Sequence, residues 1–203
     1  MPAKTTKRPR MTAEQRREQI LDVTAGIVDE RGFHAVTIDA VAREAGITRP
    51  VVYGHFDDLP GLLHALIERE AERAREQLDA VLPRPGAGDN PIEALVTGLE
   101  EWLRVVGEAP ARWRMVLTPP EGAPPELHES IAESRTEAAL HLQRLAVPKP
   151  GVSSSDASPD PELTARMLQG ISEEAARLLL SDPERFPIDR LVTHARWSLR
   201  KFA

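Results

Sequence analysis

Glycines at 32, 46 and 54 and a proline at 50 cut residues 33–56 into pieces that only short helices can fill. A glycine just past an apolar period is a natural helix stop. A proline is tolerated in a helix's first turn, where its missing N–H has no intrahelical partner. Ile38, Val41, Ala42 and Ala45 recur at helical spacing, with Thr37 placed as an N-cap and Gly46 as the stop. A second short helix then begins at about Arg49, capped by Thr48, with Pro50 in its first turn. Two short helices joined by a tight glycine-containing turn make a helix-turn-helix unit.

The helical wheel assigns faces to the second of these helices. With Val52 inward, Phe56 and His55 fall within ~60° of it, at about 100° per residue. Pro50 and Gly54 then lie nearly opposite, flanked by Val51 and Tyr53, with Arg49 intermediate. Such a low outer face lets the backbone approach a groove. Arg49 can reach a guanine edge or a phosphate, Val51 a thymine methyl, and Tyr53 a phosphate oxygen. Helix pairs of this kind also occur as plain packing, so the charge distribution is what bears on the choice.

That distribution is lopsided. The net charge is −6, yet residues 1–17 carry six basic side chains against Glu14 alone. Through residue 56 there are nine basic and seven acidic residues, which leaves −8 for the remainder. A basic end on an acidic body is expected when one part meets a polyanion and the other does not. Residues 1–10, with two prolines and no apolar period, read as a flexible basic arm.

Upstream, Thr12 and Gln15 form a capping-box pattern, and Ile20, Leu21, Val23, Ile27 and Val28 give the following helix its apolar face. Phe33 and Val36 read as buried plugs after Gly32. Beyond the helix-turn-helix, Pro60 opens a helix to about residue 82, and further helices are expected at 91–107, 110–117, 126–146, 162–181 and 188–201. Residues 83–91 are loop by their Pro, Gly and Asn content, and 147–161 reads as a flexible loop, rich in Pro and Ser. There is no strand alternation and no internal repeat. The expected fold is all-α: an arm at 1–10, a helix-turn-helix domain at 11–58 and a larger helical domain at 59–203.

With 41% hydrophobic and 29% charged residues the composition is that of an ordinary globular chain. There are 0 cysteines, so no disulfide, thiolate metal site or cysteine nucleophile is available. No window reaches the ~18 apolar residues of a membrane span, and the basic N-terminus lacks a signal-peptide core. A cytoplasmic protein with no membrane partner is expected. Metal, nucleotide and hydrolase signatures are missing and the six histidines are scattered, so neither an enzyme nor a cofactor or metal is expected.

Taken in order, Arg17-x-x-Ile20, Gly32-Phe33-x-x-Val36-Thr37-Ile38, Val41-Ala42-x-x-Ala45-Gly46-Ile47-Thr48 and Tyr53-x-His55-Phe56 closely resemble the N-terminal DNA-binding domain of TetR-family transcriptional regulators. The resemblance covers about 47 residues, from roughly 16 to 63. It implies DNA contacts at Thr37, at Thr48, Arg49, Pro50 and Val51, and at Tyr53 and His55, with Phe56 in the core. The wheel places His55 nearer the core edge, so it can serve both roles. The family's usual phosphate-binding lysine, about three residues beyond the Phe, is absent; Asp57-Asp58-Leu59-Pro60 stands there instead.

The resemblance also implies a homodimer through the two C-terminal helices, a palindromic operator in double-stranded DNA, and a small-molecule effector, as in a one-component, ligand-responsive repressor. Locally, Leu163, Met167, Gly170, Ile171, Ala175 and Leu178 form one stripe, and Leu191, His194, Ala195 and Leu199 another; monomer core packing would give the same pattern. Trp102, Trp113, Met115, His141 and Met167 are the candidate pocket lining, against a plain core-filling role. Glu100-Glu101 could meet a cation, or simply face solvent. The alternative function is a dimeric small-molecule- or protein-binding module whose helix-turn-helix has lost its DNA affinity, for which the missing lysine and Asp57-Asp58 speak. If the basic arm compensates for that lysine, trimming residues 1–10 lowers DNA affinity several-fold. Titration of a duplex with full-length and trimmed protein checks this.

Overall fold

The computed structural model describes residues 11–82, 91–146 and 160–202. The basic arm and the loops expected at 83–91 and 147–161 lie outside these residues, apart from positions 91, 160 and 161. Among the described residues every regular element is helical. The chain divides into two compact units, the first ending at Leu66 and the second starting at Ile67, within helix α4.

In the first unit α1 spans Ala13–Arg31. Thr12 Oγ1 accepts from Gln15 N (3.1 Å) and Gln15 Oε1 accepts from Thr12 N (2.9 Å), the reciprocal capping box that the sequence predicts. Ile20, Leu21, Thr24, Ile27 and Val28 are buried. Val23, expected on that face, is only half-buried, and Thr24 takes the inner position. Its hydroxyl donates to the Ile20 carbonyl at 2.7 Å, so burial leaves no polar group unmet. After Gly32 (φ 79°) a single 3₁₀ turn, Phe33–Ala35, drops Phe33 and Val36 into the core as expected.

Helix α2 (Ile38–Glu44) starts under Thr37, whose Oγ1 accepts from Ala40 N at 3.0 Å. Its exit is a Schellman turn: Ile47 N donates to Ala42 O (2.9 Å) and Gly46 N to Arg43 O (3.2 Å). Gly46 sits at φ 65°, which non-glycine residues adopt at a cost. The Ala45 carbonyl also accepts from Gln19 Nε2 at 3.2 Å, tying the turn to α1. Helix α3 (Arg49–Tyr53) follows, and α4 (Leu59–Val81) contributes the fully buried Leu62 and Leu66 to the same core. The Arg17 guanidinium lies over the Phe56 ring, 4.9 Å from its centroid.

The second unit holds the rest of α4, then α5 (Pro91–Glu108), α6 (Pro110–Leu117), α7 (Pro125–Ala146), α8 (Pro161–Ser181) and α9 (Ile188–Phe202). Its core gathers Val96, Leu103 and Val106 of α5, Trp113 of α6, Ala176 and Leu179 of α8 and Val192 of α9. Glu93 of α5 receives Arg196 (3.3 Å) and Arg200 (2.7 Å) of α9. The expected α8 stripe is split: Ala175 is in the core, whereas Leu163, Met167 and Ile171 are 54%, 60% and 58% exposed. A stripe that wide spans more than one neighbour, and only its Ala175 edge meets the core.

Nothing stands within 4 Å of a Cβ built on Gly46, so its constraint is conformational rather than steric. A Gly46→Ala variant is expected to lose about 1–2 kcal/mol, read in urea unfolding. Gly54→Ala, at φ −71° with the nearest atom 3.4 Å from the new Cβ, is expected to be near neutral.

Candidate nucleic-acid interface and effector cavity

Helix α3 turns Val52 and Phe56 into the core and leaves Thr48, Arg49, Pro50, Val51, Tyr53 and Gly54 exposed. Thr37, at the head of α2, is exposed too, and its hydroxyl proton remains available to donate. His55 is half-buried, between the two positions that the wheel and the resemblance assign it. Val51 and Tyr53, at 38% and 52%, are among the most exposed large apolar side chains of this unit. One expectation fails: Thr48 occupies the N-cap position, but its side chain makes no capping hydrogen bond. Its carbonyl accepts from Val51 N (2.9 Å) and Val52 N (3.3 Å) instead, so the helix start relies on backbone and Pro50.

Arg49 is not a loose cation. Its guanidinium pairs with the Asp39 carboxylate of α2 through both Nε and Nη2. Asp58 likewise has a local task that the sequence reading did not assign. Its Oδ1 accepts from Gly61 N at 2.7 Å and its carbonyl from Leu62 N at 3.1 Å, which caps α4. A Cβ on residue 61 would sit 3.1 Å from that carboxylate oxygen, so the glycine makes room for the cap. The acidic residue near the missing lysine is thus accounted for by helix initiation.

A cavity of about 780 Å³ opens in the second unit, walled mainly by apolar side chains of α4 to α9. Trp102, Trp113, Met115 and His141 line it. Met167 does not; it faces outward on α8, 60% exposed, while Leu168, Gln169, Ile171 and Ser172 beside it line the cavity. The two tryptophans meet edge to face with centroids 4.5 Å apart, and Trp102 Nε1 donates to the Ser172 carbonyl at 3.3 Å. Glu100 pairs with Arg104 rather than presenting a carboxylate to a cation.

Two buried carboxylates flank the cavity. Glu70 of α4 is 6% exposed and is held by Arg69 (2.7 Å) and by Arg112 Nε of α6 (2.7 Å). Arg112 also donates to Gln77 Oε1 at 2.8 Å. Glu173 of α8, 7% exposed, is gripped by Arg135 of α7 and by Arg177 (2.9 Å). Hydrogen bonding to Glu173 raises the Arg135 pKa further above its ordinary value. Among the described residues no cluster of three or more His, Cys, Asp or Glu could hold a metal ion, and no helix is long and apolar enough to cross a membrane.

Residues 20–66 match the sequence model of "Bacterial regulatory proteins, tetR family". They form a TetR-family helix-turn-helix domain. The HTH-type transcriptional regulator BetI of Escherichia coli (strain K12 / DH10B) is 32% identical over 103 residues, 48% of this chain and 51% of that protein. The chain thus spans about half the length of the curated relatives it matches. A TetR-like transcriptional regulator from Rhodococcus sp. RHA1 superposes with TM-score 0.69 at 27% identity, covering 92% of this chain and 94% of that one. AibR, solved in complex with isovaleryl coenzyme A and operator DNA, shares the fold at TM-score 0.67 and 18% identity, over 89% and 96% of the two chains.

Within the TetR-like frame the Asp39–Arg49, Glu70–Arg112 and Glu173–Arg135 pairs had no sequence signal, because each joins residues on different helices. Removing a buried carboxylate strands its cations, so Glu70→Ala is expected to lose about 3 kcal/mol or more. Glu162→Ala, which breaks an exposed pair with Arg166, should lose under about 1 kcal/mol. Thermal unfolding of the two variants side by side makes the comparison.

Proposed function

We propose that this chain is a one-component transcriptional repressor, which binds palindromic double-stranded DNA as a homodimer and is released by a small-molecule effector. The observation that carries the reading is the exposed, low face of α3, where Thr48, Arg49, Pro50, Val51 and Tyr53 stand out of a core sealed by Val52 and Phe56. Nothing in the fold asks for an exposed valine and tyrosine there, whereas a groove does. Residues 11–58 would be the DNA-binding domain and 59–203 the regulatory one. Thr37, Tyr53 and His55 would contact phosphates, and a two-fold pair of α3 helices would read half-sites about 34–36 Å apart.

The dimer reading is supported by the apolar ridge Leu163, Met167 and Ile171 on α8 and by Trp197 on α9, 53% exposed and stacked on His194 at 5.6 Å. Exposed apolar side chains that cluster into a contiguous patch are what an association surface is built from. The effector reading is supported by the cavity, whose volume lies in the range of small-molecule sites. Its walls suit an apolar molecule or an apolar group of a larger one; AibR, a protein of the same fold, is solved with isovaleryl coenzyme A, in which the short acyl group is apolar and the coenzyme is not. Trp102, Trp113, Met115 and His141 would contact it. Release requires only that the effector prefer the DNA-incompetent state, typically by ~1–3 kcal/mol. Such a protein would work in the cytoplasm, beside the DNA, and catalyse nothing.

The rival reading, a binding module that no longer grips DNA, rests on Asp57-Asp58 and the missing lysine; the capping role of Asp58 weakens it. Selection of the effector-free, folded protein on a randomised duplex library decides between them. The expected result is an enriched palindrome with half-sites one helical turn apart, whose binding falls with salt at a log–log slope of about −0.9 per phosphate contact. No enrichment at low salt would sink the regulator reading and leave the binding module.

A further inference from the structure

We propose that Asp39 is a positioning residue for DNA reading: it holds the Arg49 guanidinium side-on, so that the outer edge of that group can grasp a guanine. This rests on the reading that α3 enters a DNA groove. Asp39 lies in the first turn of α2 and Arg49 opens α3, ten residues on, across the Gly46 turn. Asp39 Oδ1 receives Arg49 Nε and Nη2. A guanidinium has five N–H donors in a planar fork. Engagement of Nε–H and one N–H of Nη2 leaves both protons of Nη1 and the second of Nη2. Those point along the end of the fork, the pair of donors that matches O6 and N7 of guanine.

Stability does not explain the pair. Both side chains are largely exposed, at 60% and 57%, where an ion pair contributes little. Arg49 also stands at a helix N-terminus, the end that disfavours a cation. A carboxylate on a surface that faces phosphates is unfavourable for general affinity as well. Preorganisation fits all three facts. An arginine already held in its reading geometry loses less side-chain freedom on binding, and a guanidinium fixed by its neighbour discriminates bases better than a free one that can swing to a phosphate. Arg49 therefore reads one guanine in each half-site, with Asp39 setting its aim.

The test repeats the library selection on the full chain, comparing wild type with Asp39→Ala, Asp39→Asn and Arg49→Ala. Wild type should enrich guanine at one fixed position of each half-site. Arg49→Ala should lose that preference there by at least about fivefold. Asp39→Ala should flatten the same position by a similar factor while binding to a scrambled duplex does not fall. Asp39→Asn, which keeps an acceptor oxygen, should lie between. An unchanged base preference in Asp39→Ala, with the wild type still selecting a site, overturns this assignment and leaves the regulator reading standing. Failure of the wild type to retain any duplex overturns both. Circular dichroism melts within a degree or two of wild type establish that the exposed substitutions leave the fold intact.

Discussion

The turn at Gly46 decides what α2 and α3 can present. Only four residues, 45–48, separate α2 from α3, so the direction of α3 is set by the left-handed backbone at Gly46 and by the two Schellman hydrogen bonds around it. Gln19 then fastens the Ala45 carbonyl to α1, and Arg17 covers Phe56 at the far end. A helix of five residues has no stability of its own in water. It exists because Val52 and Phe56 are buried and because its neighbours hold both its ends. Rigid support from both sides is also what a reading surface requires, since side chains aimed at base edges must keep their positions.

The second unit meets a different demand. A cavity of about 780 Å³ removes packing contacts that a filled core would supply. Around it, Glu70 is met by Arg69, Arg73 and Arg112, and Glu173 by Arg135 and Arg177, from the same and neighbouring helices. Buried pairs of this sort add little to net stability compared with apolar packing, yet they tolerate few alternative arrangements, because a separated partner is left charged and unpaired. They therefore fix the register of α4 against α6 and of α7 against α8. The walls stay in place while the interior remains open.

Local features were legible in the sequence because their causes lie within one or two turns. The capping box of Thr12 and Gln15, the Thr37 cap, the Gly32 and Gly46 stops and the Pro50 start each depend on residues no more than about four apart. Val52 inward and Tyr53 outward followed from helical periodicity alone, and burial agrees. The errors share one origin. Residue type favours Thr48 as a side-chain cap, but a carbonyl and a proline serve that helix start. Thr24 sits inside rather than Val23 because it shares the face of Ile20, Ile27 and Val28, and the Ile20 carbonyl satisfies its hydroxyl there. Met167 looked like pocket lining because nothing in a single helix's pattern says which neighbour its apolar stripe will face.

The sequence by itself determined an all-helical chain, the places where helices begin and end, and the faces of α3, since these follow from hydrogen bonds and periods along one strand of chain. Tertiary structure alone decided that Asp39 would hold Arg49, that Arg112 would meet Glu70 from 42 residues away, and that the α8 stripe would divide between core and surface. The physical reason is range. A cap or a period is fixed by the neighbours that covalent geometry supplies, whereas an ion pair between helices, or a cavity among six of them, exists only once packing has chosen which faces meet.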